Sequence, residues 1–360
     1  MINDDELALI WFNYNEYNFT KVEAVLTKFD KISDIFNKNK VKNAVFYIKD
    51  NGKLKNKLLE IDYEKFRKEV EEDLFKYGLE AVTFVSKNYP EKLKNIDAPP
   101  LVLYAKGDVS LLNKKSISIV GTRKTTDYGR IVCERFVKEL SAAGLVTVSG
   151  LAYGIDTIVA ETSLKSGGKT IAVLAGGLDS IYPFQNKDLA ERVSQNGLLV
   201  SEYKVHEKPQ NFHFIERNRI VAALGLGTLI IEAGKNSGTM TTAKHALDQG
   251  KELFVVPGNI NSPQSEGCNN LIDEMPDTFT INPERILHRL KIKKKQKTET
   301  SVQVDLVESK ILDVLSRGEL SFDDLAEKTG ISASELSSKL IKLEMFDIVK
   351  KGAGNTYYKV

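Results

Sequence analysis

Ile117-Ser118-Ile119-Val120-Gly121-Thr122-Arg123 is a short apolar run that ends in a glycine, and Leu145-Val146-Thr147-Val148 ends the same way in Ser149-Gly150. Between them lies a helix-length segment, Tyr128 to Ala143. Thr170-Ile171-Ala172-Val173-Leu174 then runs into Ala175-Gly176-Gly177, and Leu198-Leu199-Val200, Thr228-Leu229-Ile230-Ile231 and Leu253-Phe254-Val255-Val256 continue the series. Nearly continuous apolar strands separated by helices fit a parallel sheet covered on both faces, because neither face meets water. The region 96–285 therefore reads as an α/β, Rossmann-like doubly wound, mostly parallel sheet. In such sheets ligands sit beyond the carboxyl ends of the strands.

Outward from this core the pattern changes. Residues 1–95 are rich in Lys, Asn, Glu and aromatics, with apolar residues at helical spacing, as in Leu7, Ile10, Trp11 and in Phe66, Val70, Leu74. They read as a small, mainly helical domain, followed by a connecting segment marked by Pro99-Pro100 and Gly107. Residues 286–300 are basic and polar, with Lys291, Lys293, Lys294, Lys295 and Lys297, and read as a linker. Beyond it, Val304, Val307, Ile311 and Leu315 define a helix closed by Gly318. Ser321 with Asp324 and Ser332 with Glu335 have capping-box spacing and open two more. A Gly-rich turn between two strands ends the chain, so 301–360 is expected to be a winged-helix domain.

With 360 residues there is material for two or three domains. Apolar residues at 42% and charged residues at 28% describe a globular chain rather than a disordered one. A net charge of only +2 excludes a whole-chain basic footprint, so any nucleic-acid site must be local. Cys133 and Cys268, unpatterned in a chain this long, read as free thiols of a reducing compartment. The acidic start lacks the basic region of a secretory signal, and no apolar run approaches the ~20 residues that span a bilayer. The expectation is a soluble, cytoplasmic protein with no membrane partner.

Four strand ends carry small residues: Gly121-Thr122-Arg123, Ser149-Gly150, Gly176-Gly177, and Ser237-Gly238-Thr239 after the strand at Ile231. Glycine lets backbone amides approach a ligand, and each loop is followed by a helix whose amino end favours an anion. A glycine can equally serve only to turn a strand into a helix. Four such loops on one edge favour a row of phosphate-sized sites. Arg123 directly follows its glycine, where its guanidinium can grip phosphate bidentately. Phe212-His213-Phe214-Ile215-Glu216-Arg217-Asn218-Arg219 interleaves aromatics with bases, a mixture suited to single strands. The ordinary alternatives are core packing for Phe212 and Phe214 and surface ion pairs for Arg217 and Arg219.

Other signals fail. Gly168-Lys169-Thr170 resembles the end of a Walker A loop, but the first glycine would fall at Ser163, and the segment precedes a strand. Gly225-Leu226-Gly227 has Ile230 where the third glycine of a dinucleotide fingerprint belongs. His206, His213, His245 and His288 show no metal-ligand spacing. No cofactor, metal or catalytic residue is expected.

At its loops the sequence resembles the DNA-processing A (DprA/Smf) family. The resemblance rests on Ile119-Val-Gly-Thr-Arg123, Ser149-Gly-Leu-Ala-Tyr-Gly-Ile-Asp156, Ile171-Ala-Val-Leu174 with Gly177-Leu-Asp179 and Tyr182-Pro183, and Ser201-Glu202. Phe214-Ile-Glu-Arg-Asn-Arg219, Glu232-Ala233, Ser237-Gly238 and Val256-Pro-Gly258 follow in the family's order. It covers about residues 85 to 275. This sequence departs from the family at Ala160, where a His is usual, and at Tyr153, where many members carry a base. The resemblance implies a homodimer, formed through the core domain, that binds single-stranded DNA at the sheet edge. It also implies a RecA-interacting protein that loads the recombinase in natural transformation and recombination, and it adds Gly154 to the expected DNA contacts.

Two rivals stand beside it. Rossmann-like phosphoribohydrolases carry a glutamate after a Gly-Gly-x-Gly-Thr loop, whereas here Glu232 precedes Ser237-Gly238-Thr239. A transcription regulator would read bases with the third helix of the winged domain, but Ser334, Ser337, Ser338, Lys339 and Lys342 form a face poor in Arg and Asn.

Overall fold

A computed structural model describes residues 2–48, 52–293, 305–316, 318–345, 348–352 and 354–359. Lys294, Lys295 and Lys297, and with them residues 294–300 of the expected linker, lie outside the described residues. The chain divides into two compact units, Met1–Lys295 and Gln296–Val360.

The first unit is built on an eight-stranded sheet. Its strands are β1 (Glu80–Thr83), β2 (Val102–Gly107), β3 (Ser116–Val120), β4 (Val146–Ser149), β5 (Thr170–Val173), β6 (Leu198–Ser201), β7 (Gly227–Ile230) and β8 (Glu252–Val255). They lie in the order β1-β2-β6-β5-β4-β3-β7-β8. β6 through β8 are parallel, with Ile117 opposite Thr147 and Ile119 opposite Leu229. β3, β4 and β5 are buried along their whole length, as strands covered by helices on both faces must be. Strand order reverses at β3, which has β4 on one side and β7 on the other, so the crevice of this sheet lies at the end of β3.

The covering helices follow from apolar stripes. In the helix Asp127–Ala142, Gly129, Cys133, Phe136, Val137 and Leu140 are buried, one face of a 3.6-residue repeat. Thr126 caps it, its Oγ1 accepting from Gly129 N at 3.1 Å. Among the described residues the amino-terminal region carries only helices between Asp4 and Tyr77, as its periodicity indicates, but the sheet begins earlier than the pattern suggests. β1 and β2 form an antiparallel addition, Val82 opposite Leu103 and Ala105 opposite Val200. The apolar run after Pro99-Pro100 is thus a strand, not a connection. Leu7, Ile10 and Phe12 of the helix Asp4–Tyr14 share one core with Val102, Tyr104 and Leu199.

The second unit has the helices Leu306–Leu315, Phe322–Thr329 and Ala333–Met345. Its three strands, β9 (Leu320–Ser321), β10 (Val349–Lys351) and β11 (Thr356–Lys359), are ordered β10-β11-β9. Ser321 Oγ accepts from Asp324 N at 3.1 Å and Ser332 Oγ from Glu335 N at 3.3 Å, the two expected caps. This is a winged helix, closed around Ile311, Leu325, Leu336 and Leu340.

Candidate nucleic-acid interface

The carboxyl ends of β3 and β7 are tied by Thr122 N, which donates to the carbonyl of Glu232 at 2.7 Å. The Glu232 side chain turns inward and is 2% exposed. Its carboxylate accepts from Thr126 N at 3.1 Å and Thr126 Oγ1 at 2.6 Å. A Cβ at position 129 would strike that carboxylate, so glycine is required for the helix to close on it.

A second buried group lies under β4 and β5. Arg217 is 4% exposed. Its Nη1 donates to the carbonyl of Gly150 at 2.7 Å and to that of Val173. Asp156, 7% exposed, accepts from Gly150 N at 3.0 Å and Ala152 N at 3.3 Å. Burial pushes the Asp156 carboxyl above its ordinary range, opposed by Arg217 and by those two amides. Arg217 therefore does not grip phosphate as the sequence suggests. Its charge opposes the effect of burial on Asp156, and its hydrogen bonds pin two strand ends. Arg219 is also withdrawn: it pairs with Glu202, the two side chains 16% and 14% exposed. The Glu202 carbonyl in turn accepts from Asn13 Nδ2 at 2.9 Å, which ties the amino-terminal helix to this edge.

The glycines have the same inward logic. A Cβ at Gly150 would enter the Arg217 guanidinium, and one at Gly154, where φ is +76°, would meet the backbone of Thr122 and Arg123. Gly121, Gly176 and Gly177 are likewise crowded by Ile155, Pro209 and the Lys204 carbonyl. These five admit protein atoms, the ordinary packing reading, whereas Gly238 faces open space. Ser149 is fully buried, and Thr122 and Thr239 nearly so. Ser237 Oγ is buried at the start of the helix Gly238–Asp248 without a hydrogen-bond partner among the described residues.

Over this base lies an outer layer, exposed at Arg123 and Tyr182 and half-buried at Phe214. The Arg123 guanidinium sits 5.3 Å from the centroid of the Phe214 ring. The Tyr182 ring meets Phe214 edge-on at 5.6 Å. Asn218, half-buried and four residues after Phe214 on the same helix, donates from Nδ2 to Thr241 Oγ1 at 2.9 Å and to the Gly238 carbonyl at 3.3 Å. Phe212, at 52% exposure, and Tyr153, at 39%, are also open to solvent. The structure thus brings Arg123 and Phe214 together and adds Tyr182, which pattern reasoning did not single out as a contact. Chemically, the cluster offers aromatic faces beside an exposed positive charge, a platform for bases with a phosphate anchor.

In the winged helix, Lys339 pairs with Asp305 and, at 3.4 Å, with Glu308, while Lys342 meets Glu308 at 2.7 Å. Glu308 is fully buried. Two lysines of the third helix are thereby engaged within the unit. No group of three or more His, Cys, Asp or Glu placed to hold a metal occurs among the described residues, and no helix there is long and apolar enough to cross a membrane.

Comparison with known proteins bears on the same surfaces. The family described as DNA recombination-mediator protein A matches residues 80–291, and the DprA winged helix domain matches residues 295–355. The chain is 43% identical over 216 residues to the DNA processing protein DprA of Bacillus subtilis, covering 58% of this chain and 73% of that one. It is 37% identical over 206 residues to the protein Smf of Escherichia coli, covering 57% and 55%. Among solved structures, DNA processing protein A of Streptococcus pneumoniae superposes with a TM-score of 0.62 at 30% identity, over 80% of this chain and 93% of that one. The Helicobacter pylori DNA processing protein A, described for its mode of binding single-stranded DNA, gives 0.54 at 33% identity, over 59% and 95%.

Proposed function

Because the chain belongs to the DNA recombination-mediator protein A family, we propose that it binds single-stranded DNA without sequence preference and loads RecA onto it, in the DNA processing of transformation and recombination. The observation that carries the reading is the Arg123 guanidinium held over the Phe214 ring at the carboxyl edge of the sheet. A base stacked against Phe214 or Tyr182 would have its phosphate within reach of Arg123, and neither contact distinguishes one base from another. The Helicobacter pylori relative binds single-stranded DNA, which supports the same ligand here.

The role is one of binding rather than catalysis. The acid that a phosphoribohydrolase would need is not free at the loop: Glu232 lies inside and is held by Thr126. The first unit is proposed to carry the homodimer contact, and light scattering on the full chain should return twice the monomer mass. The binding claim is tested by titrating the protein with oligothymidylate and with blunt duplex, each with and without RecA. Tighter binding to the single strand and faster RecA filament formation on it are expected. Equal affinity for both DNAs overturns the binding claim, and no effect on RecA overturns the loading claim.

A further inference from the structure

The loop before the helix Lys187–Asn196 holds a second aromatic–cation pair. Phe184 is 74% exposed, and the Lys187 ammonium lies 5.9 Å from its ring centroid. Tyr182, two residues back and 50% exposed, contacts Phe214. Two residues of extended chain span at most about 7 Å. Phe184 with Lys187 therefore lies close along the chain to the Tyr182–Phe214 contact, beside which Arg123 sits.

The loop is rigidly mounted. Asn186, 6% exposed, donates from Nδ2 to the Leu151 carbonyl and to Thr157 Oγ1, both at 2.9 Å. Gln185 accepts from the Tyr153 hydroxyl. The nearby acid Asp179 is occupied by the backbone N–H of His206 and by His206 Nδ1, both at 2.9 Å. Asp188 is the remaining acid of this segment, and it is exposed. An exposed phenylalanine on an anchored loop keeps its face toward water at a cost in free energy, and it is pre-organised for a flat apolar partner.

We propose that Phe184 and Lys187 form a second base-stacking station, so that a bound single strand runs from Arg123 and Phe214 over Tyr182 onto Phe184. This rests on the reading of the edge as a single-strand site and extends its footprint. The ligand is a polynucleotide rather than a lone nucleotide, because Arg123 and Lys187 stand beside different rings, Phe214 and Phe184, and would serve different phosphates.

The test uses the full chain and oligothymidylate of about 16 nucleotides, the upper end of one such site. Phe184→Ala should weaken binding at least about fivefold, the loss of one base stack, with the unfolding midpoint unchanged. Lys187→Ala should flatten the salt dependence by about one unit. Phe184→Trp should retain binding, and its emission should be quenched at saturation. Trp11, the one native tryptophan and 5% exposed, serves as the internal control. Wild-type affinity in Phe184→Ala with no quenching of Trp at 184, while Arg123→Ala loses affinity, overturns the second station and leaves the main site standing. Unchanged affinity in Arg123→Ala and Phe184→Ala together overturns both.

Discussion

Arg217 and Arg123 lie on facing segments of the same sheet edge and end in opposite environments. Arg217 is buried against the carbonyls of Gly150 and Val173 above Asp156. Arg123 is exposed and rests on Phe214. Both belong to motifs that read as phosphate grips. The difference shows that the edge has two layers. The inner one spends buried charges on holding strand ends in register, and the outer one presents charge and rings to a ligand. Removing a member of the inner layer should cost stability; removing one of the outer layer should cost affinity.

The largest expected effect is on the inner side. Arg217→Met leaves two buried carbonyls without this donor and removes the charge that opposes burial of Asp156, and should cost about 2–5 kcal/mol in denaturant unfolding. A loss below about 1 kcal/mol would collapse the distinction between layers. Gly150→Ala comes next. Its methyl would occupy the guanidinium's place, and overpacking of this kind costs about 1–3 kcal/mol. If that clash is the cause, the same substitution in the Arg217→Met background should cost clearly less, a coupling that a thermodynamic cycle measures.

The layering was half legible. Parallel strands, their order of appearance and the winged helix follow from apolar runs, glycine punctuation and capping pairs, because those signals are local. β1 and β2 were not, since Leu101-Val102-Leu103-Tyr104-Ala105 follows two prolines and pairs with a strand far along the chain. For Arg217 a usable signal existed. His213, Arg217, Ile220, Val221 and Leu224 recur at helical spacing, and all five are buried in the helix Asn211–Leu224. The arginine falls inside the apolar stripe, so its side chain had to turn inward. The Arg219–Glu202 pair joins residues on different segments, and spacing carries no trace of it.

Outer-layer changes should spare the fold. Phe214→Ala should cost about 1–3 kcal/mol in affinity for oligothymidylate with the salt dependence unchanged. A fall in melting temperature with normal binding by the folded fraction would move Phe214 to the inner layer. Arg123→Ala should have the smallest effect on stability, within about 0.5 kcal/mol of wild type. It should weaken binding alike on all sequences and lower the salt slope by about one unit.

The central claim is that this edge selects single strands. Its most direct test is the affinity of the full chain for oligothymidylate and for blunt duplex of equal length, followed across a salt series. The account predicts tighter binding to the single strand at every salt concentration, with Arg123→Ala losing one unit of slope on that ligand. Equal affinities for the two DNAs, or a slope that Arg123→Ala leaves untouched, would contradict it.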